Sequence, residues 1–205
     1  MKQITLCRIL GTIFIISGVA KAFNVNSFAY EVRLYADTYF WDGLAYWATP
    51  IAVLVCAAEI FFGLLALRQD YSKVCSVVFF VLLTFFTWLT AVNYFAPSLF
   101  GSIESCGCFG ELIHFSPLAS FVKSSVMWFA ALVSTFMYKN TPLNRGFHKL
   151  VHDRFAVISV IASLSLPIYS ELVFNEIGHI PYICIFVAMI CGVSYFLYTT
   201  YHHFQ

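Results

Sequence analysis

The sequence predicts an all-α integral membrane protein of about six transmembrane helices, a four-helix bundle followed by a C-terminal helical hairpin. Three observations predict it. Of 205 residues, 61% are hydrophobic and only 10% charged, where an average soluble domain is about 25% charged. The mean hydropathy is +0.84. The apolar residues also gather into six long runs, each near the roughly 20 residues that a helix rising 1.5 Å per residue needs to cross about 30 Å of hydrocarbon. In lipid the backbone must satisfy its own hydrogen bonds, so these runs are helices despite their many Phe, Val and Ile residues. Eleven Lys+Arg against ten Asp+Glu give a net charge of +1, and no low-complexity tract occurs. Disordered, collagen-like and nucleic-acid-binding classes are thereby excluded.

The first span covers about residues 4–23. Lys2 before an apolar run, and Ala20-Lys21-Ala22 after it, loosely imitate a signal peptide. The run is long for that, and a Lys inside the would-be cleavage motif argues against it. In the loop that follows, Phe28, Val32, Tyr35 and Tyr39 recur at helical spacing after Ser27, a candidate N-cap. They predict an interfacial helix on the outer surface, with Tyr30, Phe40 and Trp41 adding aromatic bulk at the lipid boundary. The same face could instead dock a partner.

The second and third spans cover about residues 45–67 and 74–95, the fourth 118–138, and the last two 155–174 and 181–201. A basic loop at 139–154 divides a four-helix part, residues 1–138, from the terminal hairpin and tail, 155–205. Arg68 and Lys73 lie in the second loop, Lys139, Arg145, Lys149 and Arg154 in the fourth, and Lys2 and Arg8 at the N-terminus. By the positive-inside rule that side is cytoplasmic, with both termini on it and the protein in the cytoplasmic (inner) membrane. The other loops carry Glu31, Asp37, Asp42, Glu104, Glu111, Glu171 and Glu176, with Lys21, Arg33 and Lys123 as basic residues in or beside them.

Seven Cys in a lipid-embedded chain are not a disulfide scaffold and have to be placed singly. Cys106 and Cys108 flank Gly107 in the outward third loop. Residues two apart can bring their Cα atoms within the roughly 4.4–6.8 Å a disulfide tolerates, and Gly107 eases the turn. So tight a ring removes little chain entropy, whereas strained, exposed disulfides are the labile and catalytic ones. The pair suits exchange better than architecture. A passive clip, or two free thiols shaping a turn, is the plain alternative. A zinc site with His114 and His179 is a third, but the spacing does not match the common zinc patterns.

Cys106-Gly107-Cys108-Phe109-Gly110 between hydrophobic spans resembles the CGCFG signature of the MauE/DoxX group of redox-associated membrane proteins. Arg8-Ile-Leu-Gly11, Ser17-Gly18 and Lys21 in the first span, with Glu59 and Gly63 in the second, are similar as well. The resemblance covers the four-helix part and implies a membrane partner for extracytoplasmic thiol chemistry. MauE proteins are associated with maturation of the disulfide-rich small subunit of methylamine dehydrogenase beside a thioredoxin-like companion. A redox role here implies such a separate partner, since the chain has no thioredoxin-like domain of its own.

Exchange requires an accessible thiolate. No Lys or Arg lies within ten residues of Cys106, and Glu104 and Glu111 disfavour the thiolate. His114 is the nearest base, and the start of the fourth span the nearest helix dipole. Transfer of electrons across the membrane would need a second thiol pair, for which Cys7 and Cys75, near the inner ends of their spans, are the candidates. Ordinary packing is the competing role for both, as for Cys56, Cys184 and Cys191.

Glu59 is the one carboxylate deep inside a span, and an intramembrane ionisable group is a functional hypothesis by default. Counted from the cytoplasmic ends, Glu59 is level with Thr12 and Thr84, and Lys21 lies nine residues higher, about 13 Å. A protonated Glu59 bonded to neighbouring helices is therefore expected, with a stretched Lys21 pair as the alternative. Three functions compete. The first is a thiol–disulfide redox protein acting through Cys106 and Cys108, partnered by a thioredoxin-like extracytoplasmic protein and by membrane lipid. The second is a non-catalytic subunit or assembly factor of a larger membrane complex. The third is a small-solute transporter using Glu59, for which Pro167 with Ser163, Ser165 and Glu171 gives an unusual fifth helix but no inverted repeat is visible. No metal and no cofactor is expected from the residues.

Overall fold

The computed structural model describes residues 2–40, 42–95, 116–138, 140 and 153–173. Every regular element among them is helical: α1 (Lys2–Ala22), α2 (Val25–Tyr39), the short α3 (Asp42–Ala45), α4 (Ala48–Ala66), a 3₁₀ turn (Gln69–Tyr71), α5 (Ser72–Phe95), α6 (Pro117–Met137) and α7 (Arg154–Val173). The first five expected spans coincide with α1, α4, α5, α6 and α7 to within three residues. The sixth lies outside the described residues. By length and composition, α4, α5 with its preceding turn, and α6 can cross a membrane. The pair α1 and α2 makes a fourth apolar unit, broken by a 97° bend, while α7 contributes a shorter apolar stretch. Six spans are thus not reached within the described residues.

Small residues set the α1–α4 seam. A Cβ placed on Gly11 would lie 2.6 Å from Ala66 Cβ, and one on Gly63 would lie 2.6 Å from Ile15 Cγ1 and 2.8 Å from Gly11 O. One on Gly18 would lie 2.9 Å from Glu59 Cβ. Lipid tails are as apolar as Leu, so helices in a membrane associate by such close backbone approach rather than by hydrophobic exclusion. Ala52, Cys56 and Ala66 continue the seam, each fully buried.

Hydroxyl contacts join α5 to α6. Ser76 and Ser134 share a 2.7 Å hydrogen bond, Thr135 Oγ1 donates to Ser76 O at 3.1 Å, and Trp128 Nε1 donates to Thr84 Oγ1 at 2.9 Å. Between α1 and α5 the rings of Phe14 and Phe79 stack at 4.3 Å.

Asp153 ties the second and fourth inter-helix segments together at one end of the bundle. Its Oδ1 accepts from the Phe155 N–H at 3.0 Å, capping α7. Its Oδ2 accepts from Arg68 Nη1 at 2.8 Å and from Tyr71 Oη at 2.6 Å. From there α7 follows α4 to the opposite end, where Ser170 Oγ donates to Phe23 O at 3.2 Å.

At that opposite end the chain turns sharply into α2. The expected interfacial helix is present, but its cap is Asn24 rather than Ser27: Asn24 Oδ1 accepts the Ser27 N–H at 3.1 Å, which puts Ser27 inside the first turn. Its apolar stripe also turns inward. Phe28 and Ala36 are buried, and Phe28, Val32 and Tyr35 face a cavity in the bundle instead of forming a lipid belt or a docking face. The helix closes one end of the bundle, so its greasy side is spent on the protein interior. Tyr39 Oη, donating to Asn93 Oδ1 at 3.1 Å, fixes its far end to α5.

Candidate functional site

Beneath α2 lies a cavity of about 350 Å³, walled by α1, α2, α4, α5 and α6. Most of its wall is hydrocarbon and aromatic ring, including Phe14, Phe28, Tyr35, Phe85 and Phe86. The polar exceptions converge from four helices: Ser17 and Lys21 from α1, Glu59 from α4, Thr90 from α5, Lys123 and Ser124 from α6. Glu31 of α2 joins them from above.

Lys21 and Glu59 form a buried salt bridge, with Nζ 2.5 Å from Oε1 and the two side chains 3% and 4% exposed. The expected protonated Glu59 bonded to other helix neighbours gives way to the alternative, the Lys21 pair, and the expected height difference of about 13 Å is corrected here. That expectation set the inner ends of the spans level. They are not, because Gly11 packs beside Ala66, the last residue of α4, so the start of α1 runs past the end of α4. Gly18 sits at Glu59, and Lys21 three residues on is only about 5 Å higher. The threonines expected to be level with Glu59 are otherwise engaged: Thr12 donates to Arg8 O at 3.0 Å and Thr84 to Phe80 O at 2.7 Å.

The rest of the Lys21 environment favours a held cation. Nζ donates to Ser17 Oγ at 3.1 Å and lies 5.2 Å from the centroid of Phe28 and 5.6 Å from that of Phe86, within the range of cation–π attraction. Glu59 is less completely matched. Its Oε2 is buried and has no hydrogen-bond partner among the described residues.

Cys7 and Cys75 are fully buried in one core cluster at the Asp153 end. Both are free thiols, as is Cys56. Cys7 Sγ donates to Ser72 O at 3.6 Å and accepts from Ser76 Oγ at 3.7 Å. Cys106, Gly107, Cys108, Phe109, Gly110 and His114 lie outside the described residues. Their described flanks meet at the α2 end of the bundle, where Phe95 of α5 and Phe121 of α6 set their rings 5.2 Å apart. Among the described residues no group of three or more His, Cys, Asp or Glu could hold a metal ion.

Sequence reasoning left Lys123 as a loop-side residue, whereas it lines the cavity with its Nζ buried. Its place six residues into the fourth apolar span is the signal that could have found it. Gly11, Ser17, Gly18 and Lys21, scattered in the sequence, meet Glu59 and Gly63 in one seam beside that cavity.

Comparison with known proteins then settles the family. The model of the methylamine utilisation protein MauE matches residues 3–137. The chain belongs to the MauE family. The match takes in the whole α1–α4 seam, the cavity helices and the CGCFG segment, and the chain is accordingly a multi-pass membrane protein. A curated relative, protein TlpB of Flavobacterium psychrophilum, is 25% identical over 159 residues, which is 75% of this chain and 42% of that protein. The chain thus spans less than half of the length of that relative. No solved structure matches. The seam and the cavity lie within the matched stretch, while α7 lies beyond it.

Proposed function

We propose that this MauE-family chain is a thiol–disulfide redox protein of the cytoplasmic membrane. Its Cys106-Gly107-Cys108 loop faces outward and exchanges disulfides with an extracytoplasmic, thioredoxin-like partner in the maturation of exported proteins. The observation that carries the reading is the CGCFG segment at residues 106–110 inside the matched family stretch. It is supported by burial of Cys7, Cys56 and Cys75, since buried thiols are inert and exchange needs an exposed one.

Exchange runs by attack of one loop thiolate on a partner disulfide, giving a mixed disulfide and releasing the partner's second thiolate. The neighbouring loop thiol then displaces the partner and closes the Cys106–Cys108 bond. His114 is the base nearest in sequence for the attacking thiol, with Gly107, Phe109 and Gly110 shaping the turn. A Cys108→Ser variant in membranes should accumulate a mixed disulfide through Cys106, or the Cys106→Ser variant one through Cys108. If neither single variant traps a partner, and the double variant leaves partner disulfides unchanged, the reading is overturned.

A further inference from the structure

We propose that the cavity under α2 binds the ring of a membrane quinone–quinol pair; the redox assignment of this ligand rests on the thiol–disulfide reading above. Three observations on the molecule lead there. The first is size and lining: about 350 Å³, with the rings of Phe14, Phe28, Tyr35, Phe40, Phe85 and Phe86 set among aliphatic side chains in its wall, falls within the usual range for small-molecule sites of about 300–1,000 Å³. Aromatic walls favour a flat ring, which they contact by offset stacking or edge to face. An alkyl chain would pack on the aliphatic part of the wall but leave that ring geometry unused.

The second is the unmatched oxygen. Glu59 is 3% exposed and lines the cavity, and its Oε2 lacks a partner among the described residues while Oε1 is held by Lys21. A buried acceptor without a donor is costly, so the fitting ligand brings a hydroxyl. A quinol presents one at each end of its ring. The hydroxyls of Thr90 and Ser124 lie elsewhere on the same wall for the second oxygen.

The third is the route of access. Phe40 and Phe85 line the cavity yet are 42% and 47% exposed, so the cavity opens on the flank between the end of α2 and the middle of α5. On a spanning helix that flank faces lipid, where isoprenoid-tailed quinones dissolve. The tail would remain in the bilayer while the ring enters.

In the direction that makes disulfides, the thiols of Cys106 and Cys108 lose two electrons and two protons as their S–S bond forms. The quinone gains two electrons and two protons and leaves as the quinol.

The test uses the full chain in lipid nanodiscs and a decyl-tailed benzoquinone, with an azido derivative as photoprobe. Saturable labelling is expected on cavity residues of α1, α2, α4 or α5, competed away by excess unmodified quinone. Ala36→Phe, which fills the cavity from α2, should weaken binding at least tenfold. Lys21→Met/Glu59→Leu, which removes the acceptor together with its counter-charge, should do the same and guards against a folding failure of the first variant. Labelling that is not competed, or that spreads over the lipid-facing sides of α5 and α6, overturns the proposal; so does unchanged binding in a folded variant of either kind. Exchange of the wild-type loop with glutathione disulfide is measured separately, without quinone. Exchange with no saturable quinone binding removes the cavity assignment and leaves the thiol reading. Competed binding with no exchange leaves the cavity as a quinone-ring site and removes the thiol reading.

Discussion

The Lys21 ammonium lies 2.5 Å from the Glu59 carboxylate across two antiparallel helices, and both side chains are all but sealed from the surroundings. Taking two charges out of water is expensive, and pairing recovers the cost only while both partners are present. Lys21→Met alone should therefore destabilise the bundle by about 3–5 kcal/mol, and Glu59→Leu alone by a similar amount. The double variant should recover most of that loss. Thermal unfolding in detergent measures all three, and a double variant no better than the worse single one would assign the loss to packing rather than charge.

Gly18 sets the register of that pair. With the Cβ of Glu59 2.9 Å from where a Cβ on residue 18 would stand, Gly18→Ala should cost about 1–3 kcal/mol through overpacking. Gly11→Ala should cost a similar amount, because the obstructing atoms are Ala66 Cβ and the Gly63 carbonyl oxygen, neither at the end of a flexible side chain. Denaturation midpoints of the two variants check this. A neutral effect at both would mean that the helices separate freely.

At the other end of the bundle, two donors share Asp153 Oδ2 but should contribute unequally. The Arg68 side chain is 31% exposed, and a partly solvated ion pair is worth about 0–1 kcal/mol and weakens with salt. Tyr71 is fully buried, so Tyr71→Phe should cost about 1.5–3 kcal/mol, the usual value of a hydrogen bond to a charged group. Hydrogen exchange in the first turn of α7 should accelerate more in Tyr71→Phe than in Arg68→Ala, with added salt widening the gap by raising exchange in wild type and Tyr71→Phe, which keep the Arg68 ion pair, but not in Arg68→Ala.

Cysteine reactivity should divide by location. Cys7, Cys56 and Cys75 are fully buried and should stay unmodified by maleimide until the protein is denatured. Peptides carrying Cys106 or Cys108 should label in intact cells with an impermeant reagent. Labelling of those two only after permeabilisation would reverse the proposed topology. Peptide mass spectrometry separates the sites.

Helix positions were legible because the lipid requirement is simple: about 20 apolar residues in a row, internally hydrogen bonded. Relative heights were not. Lys21 and Glu59 come together through the stagger of α1 on α4, which depends on where Gly11, Gly18 and Gly63 find backbone to touch, and hydropathy carries no such information. The direction of the α2 stripe was hidden for a related reason, since Phe28, Val32 and Tyr35 satisfy a lipid face and a protein face equally well. For the Asn24 cap, one residue type competed with another three positions later, and side-chain geometry decided it. The Cys106–Cys108 pair was legible as a Cys-Gly-Cys spacing, and it lies outside the described residues.

The right-angle corner after α1 has a kinetic consequence. Ser170 clasps it at Phe23, and Tyr39 clasps the far end of α2 at Asn93, so the ceiling of the bundle is pinned at both ends. Traffic into the space below should then proceed by side-chain rotation of Phe40 and Phe85 rather than by lifting of the ceiling. Exchange rates should follow the fluidity of the surrounding bilayer more closely than the viscosity of the aqueous phase.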